Sequence, residues 1–409
     1  MTLETAKVAT WQLRLKPRAW QVTALAEWKA GYRGVASVVT GGGKTVFAEM
    51  CMLAFRDKFP QGRILVVVPT VTLLDQWVVS LQEELGVPRG EIGCYSGDEK
   101  SPKPKPVNVA VINTARELAR TITANADTFL IVDECHRAGS PANALALQTS
   151  AKAALGLSAT PEREYDDGFQ KHVLPALGRI IYRYDYNQAR TDGVVSPFQL
   201  VNVKVDLLPD EEAKYTKLTK RAAVEARRIE REGGPDEPLK RILQARAAVA
   251  STAAMRIPVA AKLVEKQRGR RTIVFHERIR AANAILNILN ERKHCATVYH
   301  SHVGPVIRRD NLRLYRRGVF DVLVTCRALD EGMNVPETAV AVIASATASH
   351  RQRIQRLGRV LRPSAGKSSA TIYTIYATEQ EERRLKKEEA GLEGVSTVSW
   401  LRGVHRRHG

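Results

Sequence analysis

Two short clusters of polar residues in the first half of the chain have the chemistry of a phosphate-binding site. The first is Thr40-Gly41-Gly42-Gly43-Lys44-Thr45, which follows the apolar run 35–39. Backbone N–H groups of a glycine loop that opens a helix form a cradle for phosphate oxygens, and glycine lets that backbone approach closely. Lys44 would neutralise the phosphates and the Thr45 hydroxyl would ligate Mg²⁺. The alternative is a glycine-rich turn, because the GxxxxGK[ST] pattern fails at its first position, Val38.

The second cluster is acidic and lies about 90 residues further along the chain. It is Asp133-Glu134-Cys135-His136, and it directly follows the apolar run 129–132. Asp133 is suited to hold Mg²⁺ through its water shell, and Glu134 can polarise an attacking water. An Asp-Glu pair alone after a strand is commonly a solvated loop. Two such clusters, each after an apolar run and in this order, indicate a Walker-type ATPase that uses ATP and Mg²⁺.

A third polar cluster, Ser158-Ala159-Thr160-Pro161, follows the apolar run 154–157. The hydroxyls of Ser158 and Thr160 can hydrogen-bond the acidic loop and report whether the γ-phosphate is present. The alternative is a serine/threonine turn before a proline, which is frequent in loops.

Short apolar runs that alternate with helical patterns predict the elements that position these clusters. The predicted strands are 35–39, 64–68, 107–112, 129–132 and 154–157 in the first half, and 272–275, 297–299, 322–325, 340–343 and 371–376 in the second half. Uninterrupted apolar strands between helices indicate an α/β fold with parallel sheets covered on both faces. Right-handed crossovers then bring the carboxyl ends of the strands to one edge, where ligands bind.

The length of 409 residues and a change of pattern near Pro197 predict two α/β domains. We place an N-terminal domain at 1–198 and a C-terminal domain at 257–409. Between them, residues 199–256 read as a helical connector that is strongly charged and interrupted at Gly233-Gly234-Pro235. A solvated charged surface is the simplest role for this connector, and a wedge that separates strands is the alternative.

The charge balance points to a polyanionic partner. The chain has 63 Lys+Arg against 43 Asp+Glu, a formal net charge of +20. Such an excess favours nucleic acid, because each neutralised phosphate releases condensed counterions. The alternative is a surplus that serves solubility. Much of the excess is in the second half, where the clustered arginines are Arg308, Arg309, Arg313, Arg316, Arg317, Arg351, Arg353, Arg356, Arg359 and Arg362.

Several classes of protein find no support in the sequence. No stretch approaches the ~20 apolar residues that a membrane span needs, and the N-terminus lacks the layout of a secretory signal. The five cysteines form no CxxC pair, so neither a zinc site nor a disulfide framework is indicated. We therefore expect a cytoplasmic protein without a membrane partner.

Taken together, the motifs of the first half resemble those of a superfamily-2 helicase core of the DExH type. Residues 40–45 match the TGxGKT motif, residues 133–136 match the DExH motif and residues 158–161 match the SAT motif. The segment 15–21 resembles the entry motif that reads adenine, which points to Gln21. The segment 68–77, with Thr70, resembles the motif that contacts a nucleic-acid backbone.

The resemblance continues in order through the second half. Residues 273–276 resemble the fourth motif. Residues 330–336 resemble the fifth motif, EGxDxP, which adds Gly332 to the expected nucleotide site, although Asn334 replaces the usual Asp. Residues 355–362 match QRxGRxxR closely.

The resemblance implies two RecA-like domains in tandem and assigns roles to individual residues. Arg359 and Arg362 would act as arginine fingers on the γ-phosphate; on a helix they share a face with Arg356, and the alternative is a basic nucleic-acid face. The residues expected to couple hydrolysis to movement are His136, Ser158, Thr160 and Gln355. The residues expected to contact the phosphates of a nucleic acid are Thr70, Thr114 and Thr325.

Within the superfamily the chain is most similar to XPB-like and phage UvsW-like DNA helicases and to restriction-enzyme motor subunits. DEAD-box RNA helicases match less well, because their acidic motif ends in Asp where this chain has His136. We therefore expect an ATP-dependent helicase or translocase that acts on single-stranded or branched duplex DNA. A monomeric motor is one arrangement that the motifs allow. The alternatives are an RNA helicase and a DNA-binding scaffold with a vestigial ATPase.

Overall fold

The protein consists of two compact units that separate near residue 195. The computed structural model describes residues 11–39, 41–159, 161, 167–192, 198–233, 235–326, 338–345, 370–389 and 396–402. No single helix in these ranges is long and apolar enough to cross a membrane. Two helices, 237–251 and 256–266, reach the necessary length and apolar content only as a pair, and they meet at a bend of 41°.

The first unit is built on a seven-stranded sheet in which every pair of neighbouring strands is parallel. Its strands are β1 (Arg33–Val38), β2 (Arg63–Val68), β3 (Ile92–Tyr95), β4 (Val107–Val111), β5 (Thr128–Asp133), β6 (Ala153–Ser158) and β7 (Ile180–Tyr184). They lie in the order β3-β4-β2-β5-β6-β1-β7. The strands β5, β6 and β1, after which the three polar clusters come, are therefore neighbours.

Helices cover both faces of this sheet. They are α1 (Ala19–Gly31), α2 (Lys44–Lys58), α3 (Val71–Glu83), α4 (Ile112–Thr123), α5 (Pro141–Ala144), α6 (Leu174–Leu177) and α7 (Tyr186–Thr191). In β2, Val66 and Val68 pack in one apolar core with α1, α2 and α3. The alternate residues Leu65 and Val67 pack in a second core on the other face, with α4. Burial on both faces explains why β2 is an uninterrupted apolar run.

The second unit repeats this architecture. Its sheet contains β8 (Phe198–Lys204), β9 (Thr272–Phe275), β10 (Ala296–Tyr299), β11 (Val322–Thr325), β12 (Val340–Ile343), β13 (Ala370–Tyr376) and β14 (Ser396–Arg402). These strands are parallel and lie in the order β10-β11-β9-β12-β13-β8-β14. Its helices are α8 (Pro209–Glu232), α9 (Glu237–Ser251), α10 (Arg256–Lys266), α11 (Ile279–Glu291), α12 (Pro305–Arg316) and α13 (Glu379–Glu389).

The predicted α/β class with two parallel sheets is confirmed, and each predicted strand is present to within two residues at either end. In the range predicted as a helical connector, α8 and α9 fill most of the residues and pack against each other, whereas the first residues belong to β8. Both helices belong to the second unit. The domain limits at 198 and 256 stay predictions. The sequence did not reveal β3, β7, β8 or β14.

Candidate active site

The glycine loop and the acidic cluster meet at the carboxyl edge of the first sheet. The loop leads from β1 into α2, the acidic cluster ends β5, and Ser158 ends β6 between them. This arrangement follows from parallel pairing, which brings the carboxyl ends of neighbouring strands to one edge. The three polar clusters expected to act together are thus brought together, apart from Thr40 and Thr160, which lie outside the described residues.

The glycine loop has a backbone that only glycine fits. Gly43 immediately precedes α2 and has a φ of 99°, in the left-handed region. At Gly42, a Cβ atom would lie 2.6 Å from Cγ1 of Val38 and 2.9 Å from the carbonyl oxygen of Val39. The loop therefore presents bare backbone at the start of a 15-residue helix. Such a helix start has free N–H groups and a positive dipole end, and it favours an anion.

Side chains from the start of α1 hold this loop by hydrogen bonds to its backbone carbonyls. The amide of Gln21 accepts a hydrogen bond from the Arg18 backbone N–H at 2.7 Å and donates one to the Gly43 carbonyl at 2.9 Å. The Trp20 indole and the Arg18 guanidinium both donate to the Gly42 carbonyl, at 3.1 and 3.3 Å. The structure thus brings Gln21 to the loop, while its role toward adenine stays a prediction.

Lys44 and Glu134 form an ion pair in the middle of the site. The Lys44 Nζ donates to Oε1 of Glu134 at 3.0 Å, and the Lys44 side chain is only 12% exposed. Burial opposes the charged form of Lys44, but the nearby carboxylates of Glu134 and Asp133 outweigh it and raise the pKa of Lys44 above its ordinary value. The lysine is therefore a fixed positive charge at the helix start, beside partly buried Thr45.

Asp133 is buried and accepts a hydrogen bond on each carboxylate oxygen. The Trp77 indole donates to Oδ2 at 2.9 Å, and the Glu134 backbone N–H donates to Oδ1 at 2.9 Å. Burial raises the pKa of Asp133, and the charge of Glu134 acts in the same direction, whereas Lys44 and Trp77 oppose that rise. These two hydrogen bonds fix the orientation of the carboxylate, whose oxygens are the kind of ligand that a hard metal ion prefers.

His136 links the acidic cluster to Ser158. Its Nδ1 lies 2.9 Å from Oγ of Ser158 and 3.5 Å from Oε2 of Glu134. Glu134 itself has a φ of 48°, which turns the chain from β5 into a 3₁₀ helix that begins at Cys135. This turn points Glu134 and His136 toward the same site. The contacts fit the predicted coupling of His136 and Ser158, which stays a prediction.

The residues expected to contact nucleic acid are placed less uniformly. Thr70 caps α3, where its hydroxyl accepts from the Leu73 N–H at 3.3 Å, and Thr114 lies partly buried in the first turn of α4. Both follow the carboxyl ends of strands of the first sheet. Thr325 ends β11 in the second unit; its side chain is fully buried, and its hydroxyl has no hydrogen-bond partner within the part of the chain that the structure describes. All three roles stay predictions.

Four predicted site residues of the second half fall outside the described residues. They are Gly332, Gln355, Arg359 and Arg362. Their assignments rest on the sequence motifs alone.

Trp77 is the site residue whose contact the sequence did not predict. The sequence motif places it in the segment expected to contact nucleic acid, yet the structure buries it to 2% exposure against Asp133. Because an indole in an apolar helix pattern usually means core packing, the only signal was its position on the helix after β2, the neighbour of β5.

Comparison with known families identifies both halves of the chain. The family model described as "Type III restriction enzyme, res subunit" matches residues 14–163. The model described as "Helicase conserved C-terminal domain" matches residues 255–364. Together the two models cover more than half of the chain, in the order expected for a helicase core.

Similar proteins are named as DNA helicases and translocases. The chain is 27% identical to the "DNA 3'-5' helicase XPB" of Mycobacterium tuberculosis, over 90% of this chain and 61% of that protein. It is 27% identical to the "DNA 3'-5' translocase XPB2" of Sulfurisphaera tokodaii, over 85% of this chain and 79% of that protein. The chain spans about three fifths of the length of most of the first curated relatives that it matches.

Solved structures show the same fold. The structure described as "S. cerevisiae Dbp5 bound to RNA and ADP BeF3" aligns with a TM-score of 0.62 at 14% identity, covering 94% of this chain and 90% of that chain. The helicase domain of Pyrococcus furiosus Hef aligns with a TM-score of 0.51 at 19% identity, covering 90% of this chain and 98% of that one. These matches confirm the predicted fold of two RecA-like domains. Together with the family models and the similar proteins, they establish that the chain belongs to superfamily 2 of the helicases.

Proposed function

We propose that this protein is an ATP-driven motor that moves along DNA. The observation that carries the proposal is the meeting of Lys44, Asp133 and Glu134 at the start of α2, beside a loop that only glycine fits. The largely buried Lys44 suits the phosphates of a triphosphate. The buried carboxylate of Asp133 suits the metal ion, and the part-exposed carboxylate of Glu134 suits an attacking water. The contact between Lys44 and Glu134, with Asp133 beside them, argues against a scaffold with a vestigial ATPase.

In the proposed reaction, the loop and the start of α2 hold the phosphates of ATP. Lys44 exchanges its pairing with Glu134 for the phosphate oxygens, since a triphosphate is the stronger anion. Glu134, released from the lysine, orients a water and takes up its proton. The water oxygen forms a bond to the γ-phosphorus as the bond to the ADP oxygen breaks. Arg359 and Arg362 are assigned to the charge on the γ-phosphate by their motif.

The residues beside the loop fit a magnesium ion. Asp133 and Thr45 offer hard oxygen donors, and no group of three His, Cys, Asp or Glu side chains that could hold a metal occurs among the described residues. Mg²⁺ usually keeps several waters and binds to substrate phosphates, so it needs only one or two ligands from the protein. When bound, the ion would neutralise the charge that develops between the β- and γ-phosphates.

Two observations support DNA as the track. The similar proteins are named as DNA helicases or translocases with 3′ to 5′ polarity, and the net charge of +20 suits a polyanion. On the same ground we propose movement in the 3′ to 5′ direction. RNA is the second candidate, because a structural neighbour is described as bound to RNA. At 14% identity that likeness concerns the fold.

The test is ATP turnover without nucleic acid and with single-stranded DNA, duplex DNA or RNA of the same length. We expect DNA to stimulate turnover more than RNA does. Lys44→Ala and Glu134→Gln should each lower the stimulated rate by about 100-fold or more. The matched controls are Lys29→Ala and Glu27→Gln, which change exposed residues of α1. Full activity of Lys44→Ala and Glu134→Gln would refute the proposed ATPase site. Stronger stimulation by RNA than by DNA would refute DNA as the nucleic acid on which the protein moves.

A further inference from the structure

The indole of Trp77 touches the proposed metal-binding carboxylate from a helix that carries no other catalytic group. Its N–H donates to Oδ2 of Asp133 at 2.9 Å, while the Glu134 N–H occupies Oδ1 at 2.9 Å. A carboxylate with a donor on each oxygen is fixed in orientation. Its remaining lone pairs face a ligand in one direction only.

The choice of tryptophan matters because the indole can only donate. Its N–H bonds more strongly to the ionised carboxylate than to the protonated one, and the indole cannot accept a hydrogen bond from a carboxyl O–H. Trp20 and Trp28, also buried in this unit, donate to the backbone carbonyls of Gly42 and Ala154, whereas Trp11 donates to a carboxylate outside the acidic cluster, that of Glu91. Trp77 is thus placed where a packing residue would suffice for the core, yet its polar atom serves the site.

Helix α3 also contacts α2, whose first turn holds phosphate in the proposed function. Ser80, one turn beyond Trp77 on α3, donates to Oε1 of Glu49 at 2.8 Å. Glu49 is fully buried in α2, the helix that begins at Lys44. At its other end α3 starts from the Thr70 cap, which is the predicted nucleic-acid contact. One rigid helix therefore joins that contact to both β5 and α2.

We propose that Trp77 is a positioning residue that holds Asp133 for Mg²⁺ and couples this metal site, through α3, to nucleic acid bound at Thr70. The inference rests on the proposed function. Because linkage is reciprocal, DNA that fixes α3 would tighten Mg²⁺-dependent nucleotide binding, and bound Mg²⁺-nucleotide would tighten DNA binding by the same factor.

The test measures equilibrium binding of a fluorescent, non-hydrolysable ATP analogue as a function of Mg²⁺ concentration, with and without single-stranded DNA. In Trp77→Phe, which keeps an aromatic side chain but removes the N–H donor, we expect the Mg²⁺ midpoint to rise by roughly 10- to 100-fold. We also expect DNA to lower that midpoint less than it does in the unaltered protein.

Two further proteins keep the result interpretable. Trp28→Phe is the matched control, since it removes an equally buried indole hydrogen bond, 2.9 Å from the Ala154 carbonyl, away from the site. Its Mg²⁺ midpoint should not change. If Trp77→Phe does not fold, benzothienylalanine at position 77 preserves the indole shape and lacks the N–H.

An unchanged Mg²⁺ midpoint without the donor would overturn the positioning role. A shifted midpoint with an unchanged DNA effect would overturn the coupling. DNA-stimulated ATP turnover of the unaltered protein is measured alongside. Its absence would refute the proposed function, whereas its presence with either negative result would refute only the inference about Trp77.

Discussion

At the scale of single residues, the site depends on charges that burial makes costly and that neutralise one another. Lys44 lies between Glu134 and Asp133, and its pKa is raised in spite of its burial. Asp133 depends in turn on donors from Trp77 and from the backbone. The sequence motifs predicted that Lys44, Asp133 and Glu134 belong to one site, because the glycine loop and the acidic cluster each follow an apolar run. They could not predict the Trp77 contact, which joins residues 56 positions apart.

The backbone of the loop gives a prediction at this scale. Gly43→Ala places a side chain at a φ of 99°, which costs roughly 1–2 kcal/mol. The new Cβ would also lie 2.7 Å from Nε2 of Gln21, whose hydrogen bond holds the loop. We expect ADP to bind about tenfold more weakly, as measured by calorimetry.

The control for this variant is Gly97→Ala, because an exposed Cβ there meets no atom within 4 Å. Equal ADP affinity in Gly43→Ala and the unaltered protein would show that the loop conformation is not required for nucleotide binding.

At the scale of elements, the strands that the sequence revealed are short, continuous apolar runs. The ones it missed lack an uninterrupted apolar run for specific reasons. β3 is interrupted by Gly93, and β7 is an edge strand whose residues are mostly part-exposed. β8 begins immediately after Pro197, where the sequence pattern suggested a domain limit. Edge strands gain their order from a neighbour's backbone, which a local pattern does not record.

A buried ion pair between α10 and α13 helps to hold the second unit together and can be tested by unfolding. Arg256, at the start of α10, is 1% exposed and donates to Glu381 of α13 at 2.7 and 2.8 Å. It also donates to the carbonyls of Ala344, which follows β12, and of Ile375, which lies near the end of β13. Glu381→Ala leaves this buried guanidinium without its counter-ion. We expect the second unit to lose roughly 3–5 kcal/mol of unfolding free energy in urea.

The comparison variant is Glu379→Ala on the same helix. Glu379 pairs with Arg383 at 3.4 Å, and both side chains are 81% exposed, so its loss should hardly change stability. If Glu381→Ala were as stable as Glu379→Ala, the pair would not be what holds α10 and α13 to the sheet.

At the scale of the whole molecule, the charge of +20 favours a polyanionic partner, and part of it lies on the long helix α8. On α8, exposed basic side chains repeat at helical spacing and form a basic stripe, in which Arg228 pairs with Glu225 at 2.7 Å. The residues of this basic stripe are Lys214, Lys217, Arg221 and Arg228. At 1.5 Å per residue it extends for about 21 Å, a length suited to several phosphates of one strand.

The basic stripe predicts a salt-dependent contribution to DNA binding. Lys217→Glu combined with Arg221→Glu should weaken binding to DNA of any sequence. It should also lower the slope of log affinity against log salt by about 2, since each phosphate contact contributes about 0.9. Fluorescence anisotropy over a salt series measures both effects.

A second double variant makes the same change of charge elsewhere. Lys262→Glu with Lys266→Glu alters two exposed residues of α10. If this pair lowered the affinity and the slope as much as the α8 pair, the effect would come from net charge alone, and the basic stripe would have no specific role.

The central claim is that hydrolysis at Lys44 and Glu134 moves the protein along DNA. The most direct measurement is ATP-dependent displacement of streptavidin from a biotin at either end of a single DNA strand or of a duplex. We predict that the unaltered protein displaces streptavidin from the 5′ end of a single strand or from an end of the duplex. Glu134→Gln should displace none under the same conditions. ATP turnover without displacement from any end, or displacement that persists in Glu134→Gln, would contradict the account.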